Sequence, residues 1–195
     1  NKFFQEQLIR EGQAAQKLQS PNIRKVFEIV EDEVDHSIQL VMEYIDGYNL
    51  EQYIQNFGNI PENQIIRWCK QILPTLAEAH RLGIVHGLLS PKNLLITPRG
   101  DLKITDFKGA LFESELFPED EDSEDILYLS PEQIQHVGKV GAATDIYTFG
   151  VTLYSLLTGK DPYNVSNSGI DEIRIRILND PLPFIDSYSF HINEI

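Results

Sequence analysis

The sequence predicts an α+β fold whose second part is mainly helical. Apolar residues fall at helical intervals at the amino-terminal end, two short alternating segments follow an acidic link apart, and a single hairpin signature precedes a run of helical patterns. No internal repeat and no Pro/Gly/Ser-rich linker divides the 195 residues, and 42% of them are hydrophobic, enough to build one core.

Residues 2–19 space Phe4, Leu8, Ala15 and Leu18 as one face of a helix, which Ser20-Pro21-Asn22 ends. Residues 23–31 read as a strand, and 37–44 set Ile38, Leu40, Met42 and Tyr44 on one face of a second, with the acidic stretch 31–35 as the hairpin loop between them. After Asp46-Gly47 the pattern becomes helical, first near 49–57 and then from Pro61 to about Leu82. Pro61 suits a first helical turn, whereas Pro74 inside the helix removes a hydrogen bond and should kink it. Residues 93–97 and 101–105 flank Pro98-Arg99-Gly100, a hairpin signature. Helical patterning returns at 131–137, at 144–158 with Gly159 as its end, and at 170–178.

Charge narrows the function classes. With 16 basic against 30 acidic residues the net charge is -14, which repels nucleic acid and anionic membrane surfaces and argues against polynucleotide binding. Residues 113–125 alone hold eight carboxylates and no base, which reads as a solvated loop or as a contact for a basic partner. No stretch approaches the roughly eighteen apolar residues of a membrane span, and the amino-terminal end has no signal-peptide pattern, so a cytoplasmic location is expected. The single cysteine, Cys69, excludes an internal disulfide and reads as core packing. The chain has no start methionine and opens inside an apparent helix, as an excerpt of a longer protein would.

Four segments in order carry a resemblance. IVHGLLSPKNLLI, 84–96, is similar to the catalytic loop of protein kinases, H-R-D-L-K-P-E-N before an apolar strand, through His86, Leu89, Pro91 and Asn93. LKITDFKGA resembles the D-F-G segment through Asp106 and Phe107, YLSPEQI resembles A-P-E through Pro131 and Glu132, and TDIYTFGVTLYSLLTGKDPY resembles the large central helix, with Asp145 and Gly150. Upstream, REGQAAQKLQSPNI resembles the C-helix and sets Glu11 at the ion-pairing glutamate. The wording most resembles bacterial-type Ser/Thr protein kinases. The resemblance implies a protein-kinase-like fold incomplete at both ends: 1–45 as a partial N-lobe of C-helix and strands, and 46–195 as a C-lobe lacking its last helices. The Gly-rich phosphate loop and the third-strand lysine are not among these residues.

By the same resemblance, Asn93 and Asp106 would hold magnesium, oxygen donors suited to a hard cation that keeps several waters. Leu95 would floor the adenine, with Met42, Glu43, Tyr44 and Ile45 as gatekeeper and hinge. His86, Phe107, Ala15 and Val26 would stack as a spine, and Asp145 would hold the catalytic-loop backbone. The departures gather around the chemistry. Leu88 stands at the catalytic aspartate and offers no proton acceptor, while Ser90 replaces the loop lysine and cannot neutralise a transferring phosphate. Asp125 replaces a threonine, Gly87 the phosphate-clamping arginine, and Lys108, followed by Gly109, the glycine of D-F-G. No catalytic residue is intact.

These changes point to a pseudokinase with a regulatory or scaffolding role, acting on an unidentified protein partner, with ATP and magnesium held weakly or not at all by these residues alone. The alternative is a divergent active Ser/Thr kinase in which Asp125 or substrate groups replace the base, because losing a base costs roughly 10² to 10⁴-fold rather than all turnover.

Overall fold

Lys2–Lys17 form helix α1, which lies on a two-stranded antiparallel sheet of β1, Val26–Glu31, and β2, Ile38–Met42. The computed structural model describes residues 2–58, 60–107, 125–135, 140–163, 169–183 and 185. Strands β1 and β2 pair Ile29 with Leu40 and Glu31 with Ile38, with an irregularity between Val26 and Glu28. The acidic hairpin loop closes on its own side chains: Asp32 Oδ1 accepts from Val34 N at 2.7 Å and Asp35 N at 3.2 Å, and Asp35 accepts from Ser37 N at 2.8 Å. Those backbone donors hold both carboxyls below their ordinary pKa.

Two expectations about these strands change. Residue 23 is not part of β1; Ile23 makes an isolated parallel bridge to Ile104, with Arg24 N donating to Ile104 O at 2.8 Å. Tyr44 does not continue the half-buried face of β2, because the strand ends at Met42 and the tyrosine is 83% exposed.

A second sheet has the order β3-β4-β5, from Tyr48–Asn49, Leu94–Ile96 and Leu102–Ile104. The hairpin around Pro98-Arg99-Gly100 is present, closed by Thr97 N to Asp101 O at 2.9 Å. Gly47 enters β3 so close to β4 that a Cβ there would stand 1.9 Å from the Ile96 carbonyl oxygen, which only glycine allows. Helix α2, Leu50–Phe57, starts with a reciprocal cap in which Asn49 accepts from Gln52 N at 2.8 Å and Gln52 Oε1 accepts from Asn49 N at 3.2 Å.

Helix α3, Glu62–Arg81, buries Ile65, Trp68, Ile72, Leu76 and Ala79 at helical spacing. Pro61 sits one position earlier than expected, as its N-cap, and the helix runs unbroken through Pro74. Helices α4, Pro131–Gln135, α5, Ala142–Thr158, and α6, Ile170–Asn179, follow; α5 ends on Gly159 at φ 66. One core joins α1, α3, the second sheet and α5 through Ala14, Ile72, Leu94, Ile104 and Phe149. A separate cluster joins Leu88 to Ile126, Leu127, Leu129, Tyr163, Ile173 and Ile177. Lys108, Gly109 and residues 113–124 of the acidic run lie outside the described residues.

Candidate functional site

The segment 86–93 is held almost entirely through its backbone. Asp145, with no exposed surface, accepts from His86 N at 2.9 Å and Gly87 N at 2.7 Å, and His80 Nε2 joins the same carboxylate at 2.7 Å. Two threonines one turn and two turns along α5 continue the clamp: Leu89 N donates to Thr148 Oγ1 at 3.3 Å, and Thr152 Oγ1 donates to Leu89 O. From the other side Gln133 donates to Gly87 O at 2.7 Å while its Oε1 accepts from Ser130 N at 2.8 Å. Gly87 has φ 84, a left-handed conformation in which a side chain is strained.

His86 is buried and uses both ring nitrogens. Its Nδ1 accepts from Leu88 N at 3.2 Å, so the proton stands on Nε2, which donates to Thr105 O at 2.8 Å. Its ring meets Phe107 with centroids 4.9 Å apart. Of the other two spine positions, Ala15 is buried and Val26 half-buried, and both border a cavity of about 290 Å³.

Leu88 is 1% exposed and packs into the cluster with Ile126, Leu127 and Leu129. Asp125 opens the short 3₁₀ turn, Asp125–Tyr128, that supplies two of those side chains, and is itself half-buried. Tyr128 donates to Asp161 at 2.9 Å; burial, then the Asp161 charge, pushes its phenol well above the ordinary range. Ser90 is fully buried and its Oγ has no hydrogen-bond partner among the described residues.

Asn93 closes the short turn Pro91–Asn93 and donates through Nδ2 to Leu88 O at 2.9 Å, which leaves Oδ1 as an acceptor. Asp106 has φ 59, the left-handed region for a non-glycine residue, and accepts from Thr105 Oγ1 at 3.0 Å. Asn93 Oδ1 and the Asp106 carboxylate are oxygen donors of the type that would suit magnesium. No group of three or more His, Cys, Asp or Glu side chains that could enclose a metal occurs among the described residues.

At the expected adenine side, Met42 and Leu95 are half-buried, and Leu95 pairs in the sheet with Asn49 and Lys103. Glu43 is committed to the protein. Its N–H donates to Lys25 O at 2.8 Å, its carbonyl accepts from Arg24 Nε at 2.9 Å, and its carboxylate accepts from Lys103 Nζ at 2.8 Å and Lys25 N at 3.2 Å. Burial resists ionisation of that carboxyl, but the Lys103 hydrogen bond, the Lys25 N–H and both lysine charges outweigh it and hold the pKa below 4.5. Tyr44 projects outward and Ile45 O accepts from Gly47 N at 3.0 Å. Glu11 is half-buried on α1. Cys69 is half-buried beside the core, where burial raises its thiol pKa.

Sequence reasoning did not single out Gln133, Thr148, Thr152, His80 or Arg24. Thr148 and Thr152 share the helical face of Asp145 at intervals of three and four residues, a signal that was present. Gln133, His80 and Arg24 carry no comparable pattern.

A family model described as the protein kinase domain matches residues 1–190. The chain is 38% identical over 157 residues to a probable serine/threonine-protein kinase of Clostridium acetobutylicum, covering 80% of this chain and 23% of that protein. It is 35% identical over 157 residues to the serine/threonine-protein kinase PrkC of Bacillus subtilis, covering 80% and 24%, and 36% identical to a probable serine/threonine-protein kinase PknB of Lactococcus lactis, covering 80% and 25%. The chain thus spans about a quarter of the length of the curated relatives it matches.

Proposed function

The chain belongs to the protein kinase domain family, and from that premise we propose that it is a pseudokinase domain, which keeps the loop architecture of a kinase, has lost phosphoryl transfer, and acts by binding a protein partner. In this reading the two lobes meet near residues 45–46. One observation carries it. The side chain that should take the proton of an attacking hydroxyl is Leu88, 1% exposed and packed among Ile126, Leu127 and Leu129.

Phosphoryl transfer depends on positioning and charge neutralisation around the transferred group. Leu88 can neither orient nor deprotonate a hydroxyl, and the uncharged Ser90 Oγ cannot offset the phosphate. Asn93 Oδ1 and the Asp106 carboxylate are the groups that would hold magnesium. Bound Mg-ATP would supply the transferable phosphoryl group and its charge-neutralising metal. At the adenine side, the Glu43 carbonyl already accepts from Arg24, which weakens its appeal to a nucleotide. Among the described residues no helix is long and apolar enough to cross a membrane.

The test uses the full-length protein that carries this domain. Thermal unfolding with and without Mg-ATP, beside a radiometric transfer assay, should show at most modest stabilisation and no appreciable transfer. Asp106→Ala should remove whatever stabilisation Mg-ATP gives, since a ligand stabilises only the state it binds. Robust substrate phosphorylation that disappears in Asp106→Ala would overturn the proposal in favour of a divergent Ser/Thr kinase.

A further inference from the structure

Away from the loop 86–93, a surface groove of about 560 Å³ runs between β3, α2, the start of α3 and the β4–β5 turn. Tyr48, Tyr53, Phe57, Trp68, Pro61 and Pro98 line it. Two of the rings face solvent, Tyr48 at 46% and Phe57 at 59% exposure, an uncommon state for adjacent aromatic side chains.

The rings order one another. Tyr48 meets Phe57 edge-on at 5.6 Å, Tyr53 meets Phe57 at 4.9 Å, and Tyr53 meets Trp68 edge-on at 6.4 Å. The polar handle of Trp68 is turned inward, donating to Gly100 O at 2.9 Å, an oxygen that also accepts from Gln64 at 3.3 Å. At the β3 end the Gly47 backbone stands against Ile96 O, so the wall is fixed too. An aromatic ladder already held in place loses little rotamer freedom on binding. Fixed aromatic rings lining a groove suit the preformed, hydrogen-bond-free polyproline II conformation, whose prolines fall on one edge every third residue.

Charge selects the flank. Asp46 is the one ionisable carboxylate lining the groove, it is exposed, and it forms no ion pair or hydrogen bond with a described residue. With a net charge of -14 the chain also repels acidic segments at longer range.

We infer that this groove docks an extended, proline-containing segment of a partner protein with lysine or arginine beside the prolines. The groove shares no lining residue with Leu88, Ser90, Asn93 or Asp106, so the inference holds whether or not the cleft transfers phosphate.

The experiment measures fluorescence anisotropy of the full-length protein with three labelled twelve-residue peptides. Each has the same proline-leucine core, flanked by three lysines, by three glutamates, or by three lysines with every proline replaced by alanine. The lysine-flanked proline peptide should bind at least tenfold tighter than the other two. Phe57→Ala should weaken it about tenfold or more, as loss of an aromatic anchor does, while lowering the melting temperature by only about 2–6 °C through the lost contacts with Tyr48 and Tyr53. Asp46→Lys should reverse the preference between lysine and glutamate flanks. Absence of binding, binding indifferent to Phe57→Ala, or equal affinity for both flanks would overturn the inference. So would concentration-dependent dimerisation in sedimentation that Phe57→Ala abolishes, which would make a second copy of the chain the occupant.

Discussion

Replacing Leu88 with aspartate separates two accounts of this domain. If the leucine were only a missing charge, Leu88→Asp would leave stability unchanged and bring back part of the chemistry. The packing argues otherwise. Leu88 is 1% exposed and shares a cluster with Ile126, Leu127, Leu129, Tyr163, Ile173 and Ile177. Truncation to alanine at such a site removes the transfer free energy of the side chain and leaves a cavity, about 3 kcal/mol by comparison with other buried leucines. An aspartate adds the cost of placing a carboxylate among these apolar groups, several kcal/mol more if it stays there. For a domain of this size roughly 3 kcal/mol lowers Tm by about 6–12 °C. The expectation is therefore a fall of that size for Leu88→Ala, a larger one for Leu88→Asp, and less than about 1.5 kcal/mol for the volume-conserving Leu88→Met. Thermal and urea unfolding of the three variants, beside radiometric transfer with Mg-ATP, provides the measurement. A Leu88→Asp protein as stable as the parent and newly able to transfer phosphate would refute the packing argument.

Three further outcomes follow from the same site. Asp145→Ala strands the N–H groups of His86 and Gly87 and the His80 ring, so it should cost about 3 kcal/mol or more, with Asp145→Asn milder; urea unfolding checks both. Ser90→Ala should be neutral or stabilise by about 1 kcal/mol, because it removes a buried hydroxyl that has no described partner; a marked loss of stability would show that the hydroxyl is satisfied after all. The carboxyl of Glu43 titrates lower in the folded chain than its ordinary 4.5, so it contributes stability that is present above that value and lost as pH falls through the lowered one. Acid unfolding of Glu43→Gln should therefore be less steep below pH 4.5 than that of the parent.

Much of this architecture was legible because it is carried by patterns of local period or by motifs in order. The faces of α1, α3 and α5, the β4–β5 hairpin and the grip of Asp145 on the loop all follow from spacing or from a matched motif. Strand β3 was not legible, since two residues, Tyr48–Asn49, give no alternation to count. Tyr44 misled because its position extends the alternation of β2, while the Glu43 carbonyl has already been taken by the Arg24 side chain and the chain leaves the sheet. At the site, the missing charge at Leu88 was plain from the residue alone. Its burial was not, because its apolar neighbours lie from 38 residues (Ile126) to 89 residues (Ile177) further along and meet only in the fold. Gln133 was equally hidden: an amide that bridges Gly87 O and Ser130 N looks like any surface glutamine until both partners are in place.

The bonds that hold the loop explain how the kinase fold keeps this segment in place with leucine at 88 and serine at 90. Asp145, Thr148, Thr152, Gln133 and Asn93 reach the N–H or C=O groups of residues 86–89, and the His86 ring closes on Leu88 N. None of these contacts uses the side chain of residue 88 or 90. On the proposed reading, substitution there would remove proton acceptance and phosphate neutralisation without unpairing a backbone group, so the clamp exerts no pressure to keep aspartate and lysine. The side chains are then free to drift toward whatever packs best. Leucine at 88 gains burial worth about 1.5–3 kcal/mol in its cluster. Position 87 follows the same logic from the backbone side, for at φ 84 a glycine relieves strain that any other residue must bear. Glycine at 87 and leucine at 88 thus favour a stable loop, which accords with the proposed binding role.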